Sequence, residues 1–191
     1  MFRTHYKKFN QYFYDLSHKE DKIYSDPKKT DLIKEYAKQF PGCKTLIETG
    51  TYFGSTPIEL QNIFENIITI ELDPWLYEKA SKRLQQYPNI LPLHGDSRVM
   101  LPKILRIVHS PILYWLDAHY SRGVTGLGSQ HTPIIQELSA IRTHDQFMDS
   151  IILIDDAVSF THDKHYPGIG KIEQILVPKP IVIIKEIIVA I

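Results

Sequence analysis

The chain alternates short apolar runs with stretches in which apolar residues recur every three or four positions. The runs are four or five residues long, which is typical of strands: TLIE, IITIE, ILPLH, ILYWL and IILI. The stretches between them have helical spacing: 57–64, 75–84, 99–107 and 133–141, the last with Pro133 at its first position after Thr132. Strands without polar alternation are buried on both faces. The pattern therefore predicts an α/β fold with a doubly wound, mostly parallel sheet.

The first forty residues are predicted to be a helical extension of this domain. Apolar residues at spacings of four and three form one helical stripe: Phe2, Tyr6, Phe9, Phe13 and Leu16. The stripe packs on the domain's own core, or it forms a lid or a homodimer contact. A second helix is predicted from Asp31 to Pro41-Gly42, with an apolar face of Leu32, Ile33, Tyr36 and Phe40.

The C-terminal run, IVIIKEIIVAI after Pro180, leaves two structures open. It fits one long strand, or two short strands hinged at Lys185 and Glu186.

Composition narrows the classes of function. The 22 basic and 22 acidic residues give a formal net charge of zero. A neutral chain has no long-range field for phosphate backbones, so nucleic-acid binding is not expected and a small ligand is favoured. Cys43 is the only cysteine, the start is too polar for a signal peptide, and no apolar run approaches the ~20 residues of a membrane span. We therefore expect a cytoplasmic protein without a membrane anchor.

Chemistry is expected where the strands end, because open parallel sheets bind ligands beyond the carboxyl ends of their strands. The first strand leads into ETGTYFGST, where Glu48 closes the strand and Gly50 and Gly54 form a turn before a helix that begins near Ser55. Glycine lets a ligand approach the backbone, although a tight strand-to-helix turn also needs it for steric reasons. The turn has neither the GxGxxG of dinucleotide-binding folds nor the GK[ST] of a phosphate loop.

Acidic residues end the next two strands. Glu71 in IITIELDP follows the glycine turn by about 20 residues, where a carboxylate can bind ribose hydroxyls. Helix capping is the alternative for Glu71, but Asp73, directly before Pro74, is better placed for that. In LHGDS, Asp96 and Ser97 either cap the next helix or contact an adenine ring.

With ETGTYFGST, TIELDP and HGDS in this order, roughly residues 40–190 resemble the class I S-adenosylmethionine-dependent methyltransferases. The resemblance implies that residues 41–191 bind this cofactor, with its methionine part at the glycine turn, its ribose on Glu71 and its adenine along Asp96. Tyr52 replaces the middle glycine of the usual pattern, as in some small-molecule O-methyltransferases. The cofactor-binding residues implied are Glu48, Gly50, Tyr52, Gly54, Ser55, Glu71, Asp96, Ser97 and Asp117.

Three carboxylates follow two strands that should be neighbours in the sheet. Asp117 follows ILYWL, and Asp155 and Asp156 follow IILI. Crowded carboxylates repel one another unless a cation neutralises them, and oxygen ligands favour Mg²⁺, Ca²⁺ or Mn²⁺ over zinc. Capping of the next segment accounts for one of these acids but poorly for three. The sequence therefore predicts a site for a hard divalent cation, with Mg²⁺ as the first candidate.

An aspartate followed by an Asp-Asp pair resembles the divalent-metal site of catechol-type and macrocin-type O-methyltransferases. The resemblance implies metal ligation by Asp117, Asp155 and Asp156. Catechol-type enzymes have a lysine three residues after the first ligand, where this chain has Tyr120. Macrocin-type enzymes have a base two residues after it, and His119 holds that position here. A neutral imidazole can take a proton from a hydroxyl, although metal ligation or a simple polar contact is an equal alternative.

The predicted function is methyl transfer from S-adenosylmethionine to a hydroxyl of a small molecule, assisted by a divalent cation. The missing lysine disfavours a catechol acceptor. The enzyme alternative is a metal-independent methyltransferase on the same fold. The non-enzyme alternative is a nucleoside-binding module, because a fold alone does not determine an activity.

Overall fold

The computed structural model of the chain describes residues 27–118 and 132–191. Within them, one sheet contains β1 (Thr45–Thr49), β2 (Asn66–Glu71), β3 (Ile90–His94), β4 (Ile112–Leu116), β5 (Ile151–Ile154), β6 (Ile181–Ile184) and β7 (Ile187–Ala190). The helices are α1 (Pro27–Gln39), α2 (Ser55–Leu60), α3 (Pro74–Leu84), α4 (Ser97–Ile104), α5 (Ile134–Arg142), α6 (Ser159–His162) and α7 (Ile169–Leu176). None of the helices described here has the length and apolar character needed to cross a membrane.

The sheet has the strand order β3-β2-β1-β4-β5-β7-β6. Strands β1 to β5 are parallel, and β7 runs antiparallel to both β5 and β6. The chain order reverses at β1, where Thr49 pairs with Ile70 of β2 on one side and with Leu116 of β4 on the other. Open α/β sheets bind ligands at such a switch point. The predicted doubly wound, mostly parallel α/β fold is confirmed.

Side chains of the inner strands alternate between two apolar cores, one on each face of the sheet. Leu46 and Leu113 lie in the core covered by α1, α2 and α3. Ile47 and Tyr114 lie in the core covered by α4, α5 and α7. Burying each such side chain contributes about 1.5–3 kcal/mol. Helices on both faces therefore hold the strand ends, and the residues on them, in fixed positions.

Helix α1 begins at Pro27, earlier than the predicted start at Asp31. Proline suits the first helical position because its φ is already helical and its missing N–H needs no partner there. Leu32 and Ile33 are buried in the core shared with α2 and α3, so this helix packs on its own domain. The predicted stripe between residues 2 and 16 lies outside the described residues, and its role as lid or dimer contact stays a prediction.

Other predicted helix boundaries differ by a few residues from those observed. The helix after the glycine turn ends at Leu60, and α4 covers Ser97–Ile104 where the spacing predicted 99–107. Pro133 precedes α5, and Thr132 Oγ1 accepts a hydrogen bond from Ile134 N at 3.3 Å. Pro133 is thus the N-cap of α5 and not its first helical residue, and the predicted cap Thr132 lies one residue before it.

The C-terminal run forms two strands joined by a tight turn. Lys185 and Glu186 have φ of 50° and 65°, the left-handed conformation that matches the twist of a two-residue hairpin. Strand β6 is an edge of the sheet, and Val182 and Ile183 are exposed on it. Leu91 is exposed on the other edge strand, β3. Burial on both faces is therefore right for the inner strands and wrong for the edges.

Candidate active site

The turn after β1 brings the ends of β1, β2 and β4 together. Gly50 N donates to Ile70 O at 2.9 Å, and Asp117 N donates to Thr49 O at 3.0 Å. Gly50 has φ of +89°, and a Cβ at this position would lie 2.6 Å from the Asp117 carbonyl oxygen. Only glycine fits here. The same lack of a side chain leaves the backbone open to a ligand at the switch point.

Tyr52 and Gly54 complete the turn in the left-handed conformation, with φ of 52° and 77°. Gly54 precedes α2, and Ser55, the first residue of that helix, is buried. A non-glycine residue in this conformation costs of order 1 kcal/mol or more. At Tyr52 this cost is offset by a hydrogen bond of 2.8 Å from its backbone N to Glu71 Oε2. The residue that replaces a glycine of the motif thus also positions Glu71.

Glu71 presents its carboxylate at the end of β2. Its Oε2 accepts from Tyr52 N, and its Oε1 accepts from Asp73 N at 2.9 Å. The side chain does not cap α3, because Asp73 Oδ1 accepts from Trp75 N and Leu76 N at 2.9 and 3.0 Å, as predicted. Burial raises the pKa of Glu71, and the backbone donors oppose that rise. A carboxylate has about four lone-pair sites, so this group can also accept from a hydroxyl donor.

Asp96 and Ser97 lie where β3 leads into α4. Asp96 Oδ1 accepts from Arg98 N and from Arg98 Nε, both at 2.9 Å, so this carboxylate is the N-cap of α4. The side-chain hydrogen bond from Arg98 lowers the pKa of Asp96. Ser97 is buried next to Glu137. Of the two predicted alternatives, capping by Asp96 is observed, and a contact of either residue with adenine stays a prediction.

Glu48 lies beneath the turn. Its Oε2 accepts from Thr69 Oγ1 at 2.5 Å, and Thr69 Oγ1 also lies 2.6 Å from Thr51 Oγ1. Burial raises the pKa of Glu48 to about 8, although the Thr69 hydrogen bond opposes the rise. A direct contact of Glu48 with a cofactor stays a prediction. Its observed partners instead connect β1, β2 and the turn.

A cavity of about 250 Å³ opens between this turn and α1. Among its lining residues are Lys29, Gly50, Thr51, Tyr52, Ser55 and Asp117. It is smaller than the roughly 300–1,000 Å³ usual for whole ligands, so it suits one end of a larger ligand. Four of the predicted cofactor-binding residues therefore share one cavity. Lys29 is an addition that the sequence analysis missed.

Solved structures with this architecture were found, although no family model and no curated protein matches the sequence. PaMTH1 from Podospora anserina, a methyltransferase bound to S-adenosylhomocysteine (SAH), aligns with a TM-score of 0.63 and 13% identity over 98% of this chain and 85% of its own. TomG from Streptomyces achromogenes, an O-methyltransferase of tomaymycin synthesis in complex with S-adenosylmethionine (SAM), gives 0.58 and 14% over 97% and 87%. An O-methyltransferase from Bacillus cereus in complex with SAH gives 0.57 and 12% over 97% and 89%.

The chain has a methyltransferase fold. The region resembling class I methyltransferases contains the switch point of the sheet, with Gly50, Glu71 and Asp117 around it. At these low identities the likeness establishes the fold, and the activity of this chain has to be argued from its own residues.

The carboxylates that end β4 and β5 of the methyltransferase fold lie at one edge of the sheet, as predicted. Leu116 pairs with Ile154, and Asp155 N donates to Leu116 O at 3.1 Å. The Asp155 side chain is 2% exposed and binds the Lys29 ammonium. Burial raises the pKa of Asp155, the negative charge of Asp117 raises it further, and Lys29 opposes both. His119, the predicted base, lies outside the described residues.

The donors that would hold a divalent cation are the carboxylates of Asp117, Asp155 and Asp156. The oxygen atoms are of the right kind for Mg²⁺. Within residues 27–118 and 132–191, however, no group of three or more His, Cys, Asp or Glu side chains is placed to hold a metal ion. Asp155 already binds Lys29. As arranged here, Asp117, Asp155 and Asp156 do not fit a metal ion.

Glu137 on α5 is a second residue that the sequence analysis missed. It is 1% exposed, and its Oε1 has no hydrogen-bond partner among the described residues. Burial raises its pKa to about 7, and the nearby Ser97 hydroxyl opposes the rise. The sequence could have indicated this burial, because Glu137 lies on the apolar face of its helix, together with Ile134, Leu138 and Ile141.

We expect Glu137 to make the fold less stable as the pH rises. Because its folded pKa of about 7 exceeds the ordinary 4.5, the folded state binds more protons than the unfolded state between these values. Stability is therefore lost across that range, by up to about 3 kcal/mol from this residue, and is constant above it. Urea unfolding of Glu137→Gln from pH 5 to pH 8 should show a shallower decline than the unsubstituted protein.

The matched control is Glu173→Gln, a glutamate on the exposed face of α7. The free energy of unfolding of this variant should fall between pH 5 and pH 8 as steeply as that of the unsubstituted protein. An identical decline in Glu137→Gln would show that Glu137 is charged at neutral pH in the folded state.

Proposed function

We propose that this chain transfers the methyl group of SAM to a hydroxyl group of a small molecule. The observation that carries the proposal is the switch point, where Gly50 lies against Asp117 and two backbone N–H groups hold Glu71 beside the same turn. These residues fit the cofactor chemically, because they offer a backbone without a Cβ and carboxylates for hydroxyl and ammonium donors. O-methyltransferases solved with SAM or SAH share the fold, which supports the proposal.

In this proposal, different strand ends bind different parts of the cofactor. The Glu71 carboxylate would accept a hydrogen bond from a ribose hydroxyl. Asp117 and the turn that contains Gly50 line the cavity and would hold the amino-acid end, since a carboxylate there suits an ammonium group. Bound SAM supplies a methyl group activated by its sulfonium. The contribution of the protein is to hold the acceptor hydroxyl in line with that group.

A transfer assay tests this function with methyl-labelled SAM and a panel of sugar, polyketide and catechol hydroxyls. The proposal expects label in an O-methyl product and an equal amount of SAH, with catechols as the poorest acceptors. A reaction without the protein measures the background, and Glu71→Ala at low SAM should form less product than the unsubstituted protein. Tight cofactor binding with no SAH formed from any acceptor would identify the non-catalytic nucleoside-binding module instead.

His119 enters the proposal as the general base. His119→Ala should lower kcat by about 10²- to 10⁴-fold, because the acceptor hydroxyl then loses its proton to water. Its affinity for SAM should be unchanged in calorimetry, since the base acts on the acceptor. The control is His162→Ala on α6, which should keep full activity. A His119→Ala protein with unchanged kcat would remove this residue from the mechanism.

The divalent cation stays a prediction of the sequence. The ion pair between Lys29 and Asp155 favours the alternative, a metal-independent methyltransferase, because a predicted metal ligand already binds a cation of the protein itself. No step of the proposed reaction is therefore assigned to a metal ion.

The predictions on partners and location are proposals as well. The proposed homodimer forms through the N-terminal helices. Residues 1–26 of this region lie outside the described part of the chain. A small-molecule acceptor, the absence of a nucleic-acid partner and a cytoplasmic location are expectations from the sequence: from its neutral charge, its single cysteine, its polar start and its resemblance to small-molecule O-methyltransferases.

A further inference from the structure

Lys29 connects the first turn of α1 to the end of β5. Its Nζ donates to Asp155 Oδ2, and the side chains of Lys29 and Asp155 are 34% and 2% exposed. Leu32 and Ile33 of the same helix are buried in the core that α1 shares with α2 and α3, so the helix is held in place. The ammonium is therefore presented to the carboxylate by a packed helix.

The charges around Lys29 are those that led to the metal prediction. Burial disfavours the charged ammonium, but the hydrogen bond to Asp155 and the charges of Asp155, Asp117 and Asp156 outweigh burial and raise the pKa of Lys29. The contact itself is with Asp155, Asp156 is the next residue along the chain, and Asp117 follows the neighbouring strand β4. Lys29 also lines the cavity beside the glycine turn together with Asp117.

We propose that the Lys29 ammonium is the cation of this carboxylate site and takes the place of a divalent metal ion. One positive charge from the chain itself reduces the repulsion among Asp117, Asp155 and Asp156, so the site is stable without metal. A divalent ion would have to displace the Lys29 ammonium from Asp155. The displaced ammonium would then repel the ion, because both are positively charged. The ion pair and its effect on metal binding do not depend on the proposed function. Only a role of this site in methyl transfer rests on it.

Melting temperatures with millimolar Mg²⁺ or Mn²⁺, compared with a chelator, test the proposal without any methyl transfer. The unsubstituted protein should not respond to metal. Lys29→Met should melt at a lower temperature, because it leaves Asp155 buried without its cation. Metal should then raise its melting temperature by about 5–10 °C if the ion is present at roughly 100 times its Kd. The double variant Lys29→Met with Asp155→Asn should lose this response.

Lys34→Met is the matched control. Lys34 lies on the same helix and binds Glu59 Oε1 at 2.6 Å, so the substitution removes an ion pair of α1 without touching the carboxylate site. It should stay unresponsive to metal. If Lys29→Met does not fold, Lys29→Arg takes its place; because it keeps the positive charge, it should stay as unresponsive to metal as the unsubstituted protein.

A metal-dependent rise in the unsubstituted protein that Asp155→Asn removes would overturn the proposal, and so would a rise in Lys29→Arg. A folded Lys29→Met protein that ignores metal would also overturn it, because Lys29 would then not stand in for an ion. If the expected melting temperatures are found but no acceptor is methylated, the proposed function fails and the assignment of Lys29 stands.

Discussion

Gly50→Ala should abolish measurable SAM binding and lower the free energy of unfolding by about 2–5 kcal/mol. The residue has φ of +89°, and its new Cβ would lie 2.6 Å from the Asp117 carbonyl oxygen. Neither atom can move freely, because Asp117 N is hydrogen-bonded to Thr49 O and Gly50 N to Ile70 O. The ends of β1 and β4 must therefore separate, and the proposed cofactor cavity changes shape. Urea unfolding and titration calorimetry measure the two effects.

Gly42→Ala is the control for this substitution. Gly42 lies in the turn between α1 and β1, and a Cβ there would meet no atom within 4 Å. Stability should change by no more than about 0.5 kcal/mol, as for ordinary surface substitutions, and binding should be unchanged. A Gly50→Ala protein that binds as tightly as the Gly42→Ala protein would contradict the placement of the cofactor at this turn.

Glu71→Ala should weaken SAM binding roughly 10- to 150-fold. Loss of charge-assisted hydrogen bonds costs about 1.5–3 kcal/mol, and this range corresponds to that change in Kd. The substitution also leaves Tyr52 N and Asp73 N without their observed acceptor, so the turn loses part of its support. Calorimetry on folded protein gives the change in affinity.

Asp73→Ala separates the cofactor contact from the local structure. Asp73 caps α3 two residues after Glu71, and its loss should cost about 1 kcal/mol of stability. Its effect on affinity should be small, because no cofactor contact is assigned to it. Equal losses of affinity in Glu71→Ala and Asp73→Ala would attribute the effect of Glu71 to the shape of the turn.

The strand ends were predictable because their signals are local. Inner strands such as ILYWL are uninterrupted apolar runs, and the parallel order places Asp117 and Asp155 at the same edge of the sheet. The role of Asp73 followed from the proline after it. The hairpin at Lys185 and Glu186 could not be decided, since neither residue is the glycine or asparagine that usually signals such a turn.

The partners of the acidic residues were not predictable, because they come from distant parts of the chain. Lys29 is 126 positions from Asp155, and the periodicity started its helix too late to include it. Glu137 belongs by pattern to an amphipathic helix, and only packing shows that its carboxyl is buried beside Ser97. Sequence spacing thus located the acidic residues, but it did not show which residue binds Asp155 or that the Glu137 carboxyl is buried.

Titration calorimetry of the unsubstituted protein with SAM and with SAH tests the central claim most directly. We expect saturable binding of both ligands with one site per chain, lost in Gly50→Ala and weakened in Glu71→Ala. Absence of heat with either ligand, on protein shown to be folded by a cooperative unfolding transition, would contradict the assignment of the switch point as a cofactor site.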